Sequence, residues 1–234
     1  MTRTTMLWSA GLCMACNAVD FEPAPSHATG TVVAAKADAR APSAVDRDDR
    51  DDRETLREAS ASRVAHIRDR HADIEAREHL LSTTFELACR DGELRARGEL
   101  LADEDDGGEV VKSTLDVSMA GHASEAYTLY YEGGEPMFAL HARNTWRFAG
   151  GAAERPGTRD LVTERRYYFD GERALRCLYK RAEAASGAIE EALSEAPNEL
   201  VDCDDAADVR VLAELMADDG DTSAIEERLC KTRR

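Results

Sequence analysis

Apolar residues recur along this chain first with the period of a helix and then with the period of a strand. Val64, Ile67, His71, Ile74 and Leu81 follow one another at intervals of three, four and seven, which lines them up on one helix face. Thr55 followed by Glu58 has capping-box spacing, so the helix is predicted to begin there. It is predicted to run to about Leu81, where Ser82-Thr83-Thr84 changes the period. Phe85, Leu87 and Cys89 then alternate with Glu86 and Arg90, Asp91-Gly92 signals a hairpin turn, and Leu94, Ala96, Gly98 and Leu100 resume the alternation. Val111, Leu115, Val117 and Met119 mark one face of a third strand, and Tyr127, Leu129 and Tyr131 mark a fourth. Gly133-Gly134 turns the chain into a fifth strand with Phe138, Leu140, Ala142, Trp146 and Phe148. Another hairpin is predicted over 159–169 and 172–181, about Asp170-Gly171.

Alternation sustained over so many strands implies an antiparallel meander with one buried and one solvated face. After it the period becomes helical again. Residues 183–196 carry Ile189 and Leu193 and stop at Pro197, and residues 204–217 carry Val209, Leu212, Leu215 and Met216. Ser223 with Glu226 forms a second capping box for a closing helix that ends near Lys231. The predicted fold is therefore α+β: a long N-terminal helix packed on an antiparallel meander of about seven strands over 85–181, followed by short acidic helices over 183–234.

Charge narrows the function. The 234 residues carry 30 basic and 47 acidic side chains, a net −17 with a sequence pI near 4.8. That balance excludes a sequence-independent grip on nucleic acid, which needs a basic footprint. The C-terminal segment 183–234 alone holds 15 acids against 5 bases. No run of eighteen apolar residues is present, so no segment is predicted to span a bilayer as a helix.

The N-terminus reads as an address. Arg3 precedes the apolar run Met6 to Ala15 (MLWSAGLCMA), which ends in small residues before Cys16. A short apolar run behind a basic start is the pattern of an export signal. The stretch Cys13-Met14-Ala15-Cys16 resembles the lipobox of bacterial lipoproteins, although Cys13 stands where that family prefers Leu. The resemblance implies a signal peptide over 1–15, cleavage before Cys16, and lipidation of Cys16 as the new N-terminus. Residues 16–53 hold three of the six prolines, few large apolar residues and a closing Asp/Arg run. This composition predicts a disordered tether, although it would equally suit a plain tail. Residues 54–234 are then a single domain.

A second resemblance lies over residues 125–181. YYEGGEPMFAL (130–140) and RRYYFDGERALRCL (165–178) are similar to a loose group of uncharacterised bacterial secreted or lipid-anchored proteins. The resemblance implies an envelope or secreted location and this hairpin fold. It implies no reaction and no cofactor.

Cysteine usage agrees with export. Of the six, Cys13 would leave with the signal and Cys16 would carry lipid, leaving Cys89, Cys177, Cys203 and Cys230. An even number suits a disulfide framework, and among these four no CxxC pair and no histidine at zinc-finger spacing suggests zinc. Four buried thiols are the competing reading. Cys203 precedes one terminal helix and Cys230 ends the next, while Cys89 falls in phase with Phe85 and Leu87, and Cys177 with Leu175 and Tyr179, so both are expected on the buried face. The expected pairing is Cys203–Cys230 with Cys89–Cys177.

Candidate chemistry is sparse. His71, Glu75 and His79 stand at successive four-residue steps on one helix strip, a spacing that can present imidazole and carboxylate to Zn²⁺. A fourth ligand is not visible, and a solvated helix face accounts for the strip better. The acids Asp103, Glu104, Asp105, Asp106 and Glu109 fail the EF-hand pattern, with Gly107 and Thr114 at ligand positions. Asp202, Asp204, Asp205 and Asp208 suit a helix N-terminus. No nucleophile elbow, phosphate loop or dinucleotide fingerprint occurs. Tyr130-Tyr131 and Tyr167-Tyr168-Phe169 fit sheet packing better than a ligand groove.

Two function classes follow. The preferred one is an exported, lipid-anchored envelope or secreted protein that binds an unknown protein or envelope component, or plays a structural role. It needs no cofactor and meets the membrane only through its anchor. The alternative is a small exported hydrolase or metal-dependent enzyme resting on the His71/Glu75/His79 strip.

Overall fold

The computed structural model describes residues 44–78, 80–89, 94–103, 108–119, 123–149, 157–218 and 222–231, with side chains from residue 55 onward. It is an α+β domain dominated by one antiparallel sheet. Helix α1 (Ala44–Glu75) is followed by strands β1 (Leu80–Ala88), β2 (Leu94–Asp103), β3 (Glu109–Met119) and β4 (Ala123–Glu132). Next come β5 (Glu135–Phe148), β6 (Thr158–Asp170) and β7 (Arg173–Ala185), then helix α2 (Ile189–Glu195) and strand β8 (Glu199–Val201). Helices α3 (Ala206–Ala217) and α4 (Thr222–Lys231) close the domain. All eight strands pair in sequence order, each antiparallel to its neighbours.

The sheet has eight strands, not seven, because β8 adds three residues beside Cys177, Leu178 and Tyr179. Three residues are too few to display a period. Helix α1 also departs from expectation at both ends. It starts at Ala44, not Thr55, so the Asp/Arg run assigned to the tether is helical from that point. Asp46 and Arg50, and Asp49 and Arg53, lie four apart with the acid first, the spacing that favours an exposed helix. It ends at Glu75, and Leu81 belongs to β1, where it is exposed.

Both faces of the sheet are covered, in place of one buried and one wet face. On one face α1 lays Val64, Ile67 and Ile74 onto Tyr130, Phe138, Tyr168 and Leu178. Each such buried aliphatic contributes about 1.5–3 kcal/mol. On the opposite face α3 and α4 bring Val209, Leu212, Met216, Ile225 and Leu229 onto Leu115, Leu129, Tyr131, Tyr167 and Phe169. The hydrophobic stripes of the two terminal helices therefore complete a second core.

Three β-bulges decide which side chain joins which core. Leu101 pairs with Lys112 and Ala102 with Val110, so Val111 is an extra residue. In the same way Met137 is extra between Pro136 and Phe138, and Leu175 between Ala174 and Arg176. All three extra side chains belong with the α1-side cluster. Strict alternation had placed Val111 with Leu115 and Leu175 with Cys177. The bulges move both to the other face and increase the apolar surface under α1.

Candidate functional site

The C-terminal end of α1 meets β3, β4 and β5 at the first half of the predicted histidine strip. His71 lies against the rings of Tyr130 and Phe138, at centroid distances of 4.5 and 5.3 Å. Burial pushes its pKa below the ordinary value, Lys112 and Arg166 add to this, and Glu75 opposes it. Glu75 Oε1 accepts a hydrogen bond from Lys112 Nζ at 2.6 Å and another from the Tyr130 hydroxyl at 2.9 Å. Burial acts to raise the Glu75 pKa, but the Lys112 and Tyr130 contacts outweigh it and hold the carboxyl below its ordinary value. His79 lies outside the described residues. Among the described residues no three His, Cys, Asp or Glu side chains are grouped to hold a metal ion. Glu75 is a helix-to-sheet fastener here, with one oxygen already committed to two donors.

The other predicted acids are dispersed. Asp103 is buried in β2 and pairs with Arg77, and Glu109 opens β3, while Glu104, Asp105 and Asp106 lie outside the described residues. Asp205 accepts from Arg165 and, at 2.9 Å, from the Tyr167 hydroxyl. Burial, then the Asp205 charge, pushes the Tyr167 pKa well up. Asp208 takes Arg228 Nη2 at 2.7 Å, linking α3 to α4. Asp202 and Asp204 do not join them in any common site. Tyr130 and Tyr168 are buried under α1, whereas Tyr131, Tyr167 and Phe169 are buried in the second core. The tyrosine clusters therefore pack the sheet on both sides and line no groove.

The most enclosed polar link is one that the sequence reading missed. The Tyr131 hydroxyl donates to the Ala213 carbonyl at 3.0 Å, so the Ser113 hydroxyl, 2.8 Å away, donates to it in turn. All three positions are fully buried. This chain ties β3 and β4 to the middle of α3. Nearby, on the same sheet face, Tyr127 stacks on His141 at 4.3 Å and donates to the buried Glu125 at 3.0 Å. Residues so far apart in sequence leave no local spacing to read.

All four expected disulfide cysteines are paired, but not as expected. Cys89 joins Cys230, and Cys177 joins Cys203. The predicted Cys203–Cys230 and Cys89–Cys177 bonds are replaced because α3 and α4 lie on the sheet. There each helix-side cysteine finds a strand-side partner before it finds the other. Cys16 lies outside the described residues. Among those residues no helix is long and apolar enough to cross a membrane.

Two shallow depressions lie on the surface of the described residues. One lies between β7 and β8 by Arg176, Val201 and Asp202, and the other lies by Glu135 and Glu214. Neither gathers the polar groups described above. No family model, curated protein or solved structure matches the chain.

Proposed function

We propose that this chain is an exported bacterial envelope protein, held at a membrane by lipidated Cys16, whose α+β domain binds a partner or plays a structural role. The observation that carries the reading is the pair of disulfides joining both ends of the sheet to the C-terminal helical segment. Such bonds persist in oxidising compartments outside the cytoplasm. The lipobox-like Cys13–Cys16 stretch and the apolar run before it supply the address. The titratable clusters support a non-catalytic role, because Glu75, Asp205 and Asp208 are each committed to a bond between a helix and another element. The resemblance of residues 125–181 to secreted and lipid-anchored bacterial proteins points the same way.

Mass spectrometry of protein taken from its own cell tests this. The expected N-terminal peptide begins at Cys16 and carries lipid. An intact Met1, or an unmodified Cys16, contradicts the anchor.

A further inference from the structure

Beyond the β-bulges, strands β5, β6 and β7 run on in unbroken register to the β5–β6 end of the sheet. On the face shared with α3, this register places side chains in rows. His141, Arg165 and Tyr179 form one row; Arg143, Thr163 and Arg181 the next; Thr145, Leu161 and Glu183 a third; and Arg147 stands opposite Arg159. Strand geometry makes the patch about 10 Å by about 20 Å. Five arginines thus share one small area of a chain whose net charge is −17.

Their arrangement is costly for stability alone. Arg147 and Arg159 are direct cross-strand partners, and like charges in that position repel. Glu183 reaches both, at 2.6 and 3.3 Å, and is the one acid within the rows. Asp205 holds Arg165 at the inner margin, and Glu125 lies 3.8 Å from Arg143. The side chains of Arg143 and Arg147 remain 56% and 72% exposed.

The opposite side of the same strand end is aromatic. Trp146 and Phe148 meet edge to face at 5.3 Å, with Asp160 opposite Trp146 as the acid there. Phe148 is 63% exposed. A strand end with arginines on one side and, on the other, an exposed Phe148 beside a half-buried Trp146 has the composition of a membrane-interface contact. There arginines reach lipid phosphates and aromatic rings sit at headgroup level.

We infer that the β5–β6 end of the sheet docks on an anionic bilayer surface, a second membrane contact besides the lipid. The inference rests on the proposed anchor only for its setting. The 27 residues from 17 to 43 would span at most about 100 Å when extended, which bounds how far α1 can stand from Cys16. Within that reach the arginines select anionic headgroups, and the ring pair enters the interface to about 5–10 Å.

Trp146 offers a direct readout. The sequence has two tryptophans, Trp8 and Trp146, so a chain beginning at residue 16 has Trp146 alone. The mature chain carrying Cys16→Ser, mixed with vesicles of phosphatidylcholine and phosphatidylglycerol, should show a blue shift of Trp146 emission. Brominated lipid should quench about half of it, as expected for a ring at interfacial depth. Vesicles of phosphatidylcholine alone should give neither effect. The double variant Arg147→Glu/Arg159→Glu, with unchanged circular dichroism, should bind more than about tenfold more weakly.

Unshifted, unquenched emission with anionic vesicles overturns the inference. So does a shift that appears without vesicles and grows with protein concentration, which would mark a second copy as the occupant. Binding to a soluble anionic polysaccharide with no quenching by vesicles would overturn it in favour of a glycan. Because the lipid is absent from this chain, a vesicle result leaves the Cys16 mass measurement untouched, and each reading can fail alone.

Discussion

Cys89 and Cys230 lie 141 positions apart in the chain and 5.7 Å apart at their Cα atoms. The bond ties the end of the first strand to the last helix, so it closes almost the whole domain into one loop. Cys177 and Cys203 close a loop of 26 positions at the other edge of the sheet. On the chain-entropy model these loops contribute roughly 5 and roughly 3.5 kcal/mol before any strain. The helical segment that completes the second core lies between them, so the two staples fasten it to the sheet at both of its ends.

Tyr131→Phe tests the buried link between sheet and α3. It removes the donor to the Ala213 carbonyl and the acceptor for Ser113, leaving both without those partners in a buried core. The expected loss is about 1–3 kcal/mol, read as a lower urea midpoint with an unchanged slope. Ser113→Ala should cost less, about 0.5–1.5 kcal/mol, because the Ala213 bond survives. An unchanged midpoint for Tyr131→Phe would show that α3 does not depend on this link.

Gly98 is set opposite Phe85 across β1 and β2, and a Cβ built there would overlap the Phe85 ring. Alanine would ordinarily be preferred to glycine in a strand. Here Gly98→Ala should destabilise by about 1–3 kcal/mol through overpacking. In a Phe85→Ala background the same change should be neutral or stabilising, a reversal that a double-mutant cycle reads directly. A stabilising Gly98→Ala in the parent chain would contradict the ring's position.

Much of the meander was legible because each hairpin carries a clean period of two, as in Leu94 to Leu100. The bulges at Val111, Met137 and Leu175 were not, since no residue type marks an extra position in a strand. They governed the errors that followed. With Leu175 displaced, the phase argument for Cys177 held for its face but not for its neighbour. The face read as buried, with Leu115, Leu129 and Tyr131, had been given to α1, which hid the docking of α3 and α4 there and with it both disulfide partners. The His71 strip was visible by spacing alone, but the Lys112 and Tyr130 bonds that occupy Glu75 depend on strands some 35 to 55 residues further on.

Acid should loosen α1. A histidine with a lowered folded-state pKa is kept neutral by the fold, so below its ordinary value of 6.5 the unfolded chain takes up more protons. Stability is then complete above that pH and falls as the pH drops below it. Glu75, with its pKa also lowered, acts in the same direction below about 4.5. His71→Phe keeps the ring contacts and removes the first of these effects. It should flatten the stability profile between about pH 7.5 and about 5.5. An identical slope in the variant would remove His71 from this account.

Metal removal should do nothing. Glu75 Oε1 is engaged by Lys112 and Tyr130, so this strip is not expected to draw stability from a bound ion. An excess of EDTA should leave Tm within about 1 °C, whereas loss of a tightly bound ion would lower it visibly. A clear fall that His71→Ala reproduces would restore the metal reading of the strip.

The arrangement of the two disulfides is the claim on which the rest depends, and non-reducing peptide mapping reads it directly. Trypsin cuts after Arg and Lys, which separates the four cysteines into peptides 78–90, 177–180, 182–210 and 229–231. Protein taken from its own compartment should give 78–90 linked to 229–231 and 177–180 linked to 182–210. Four free thiols, or a link between 182–210 and 229–231, would contradict it.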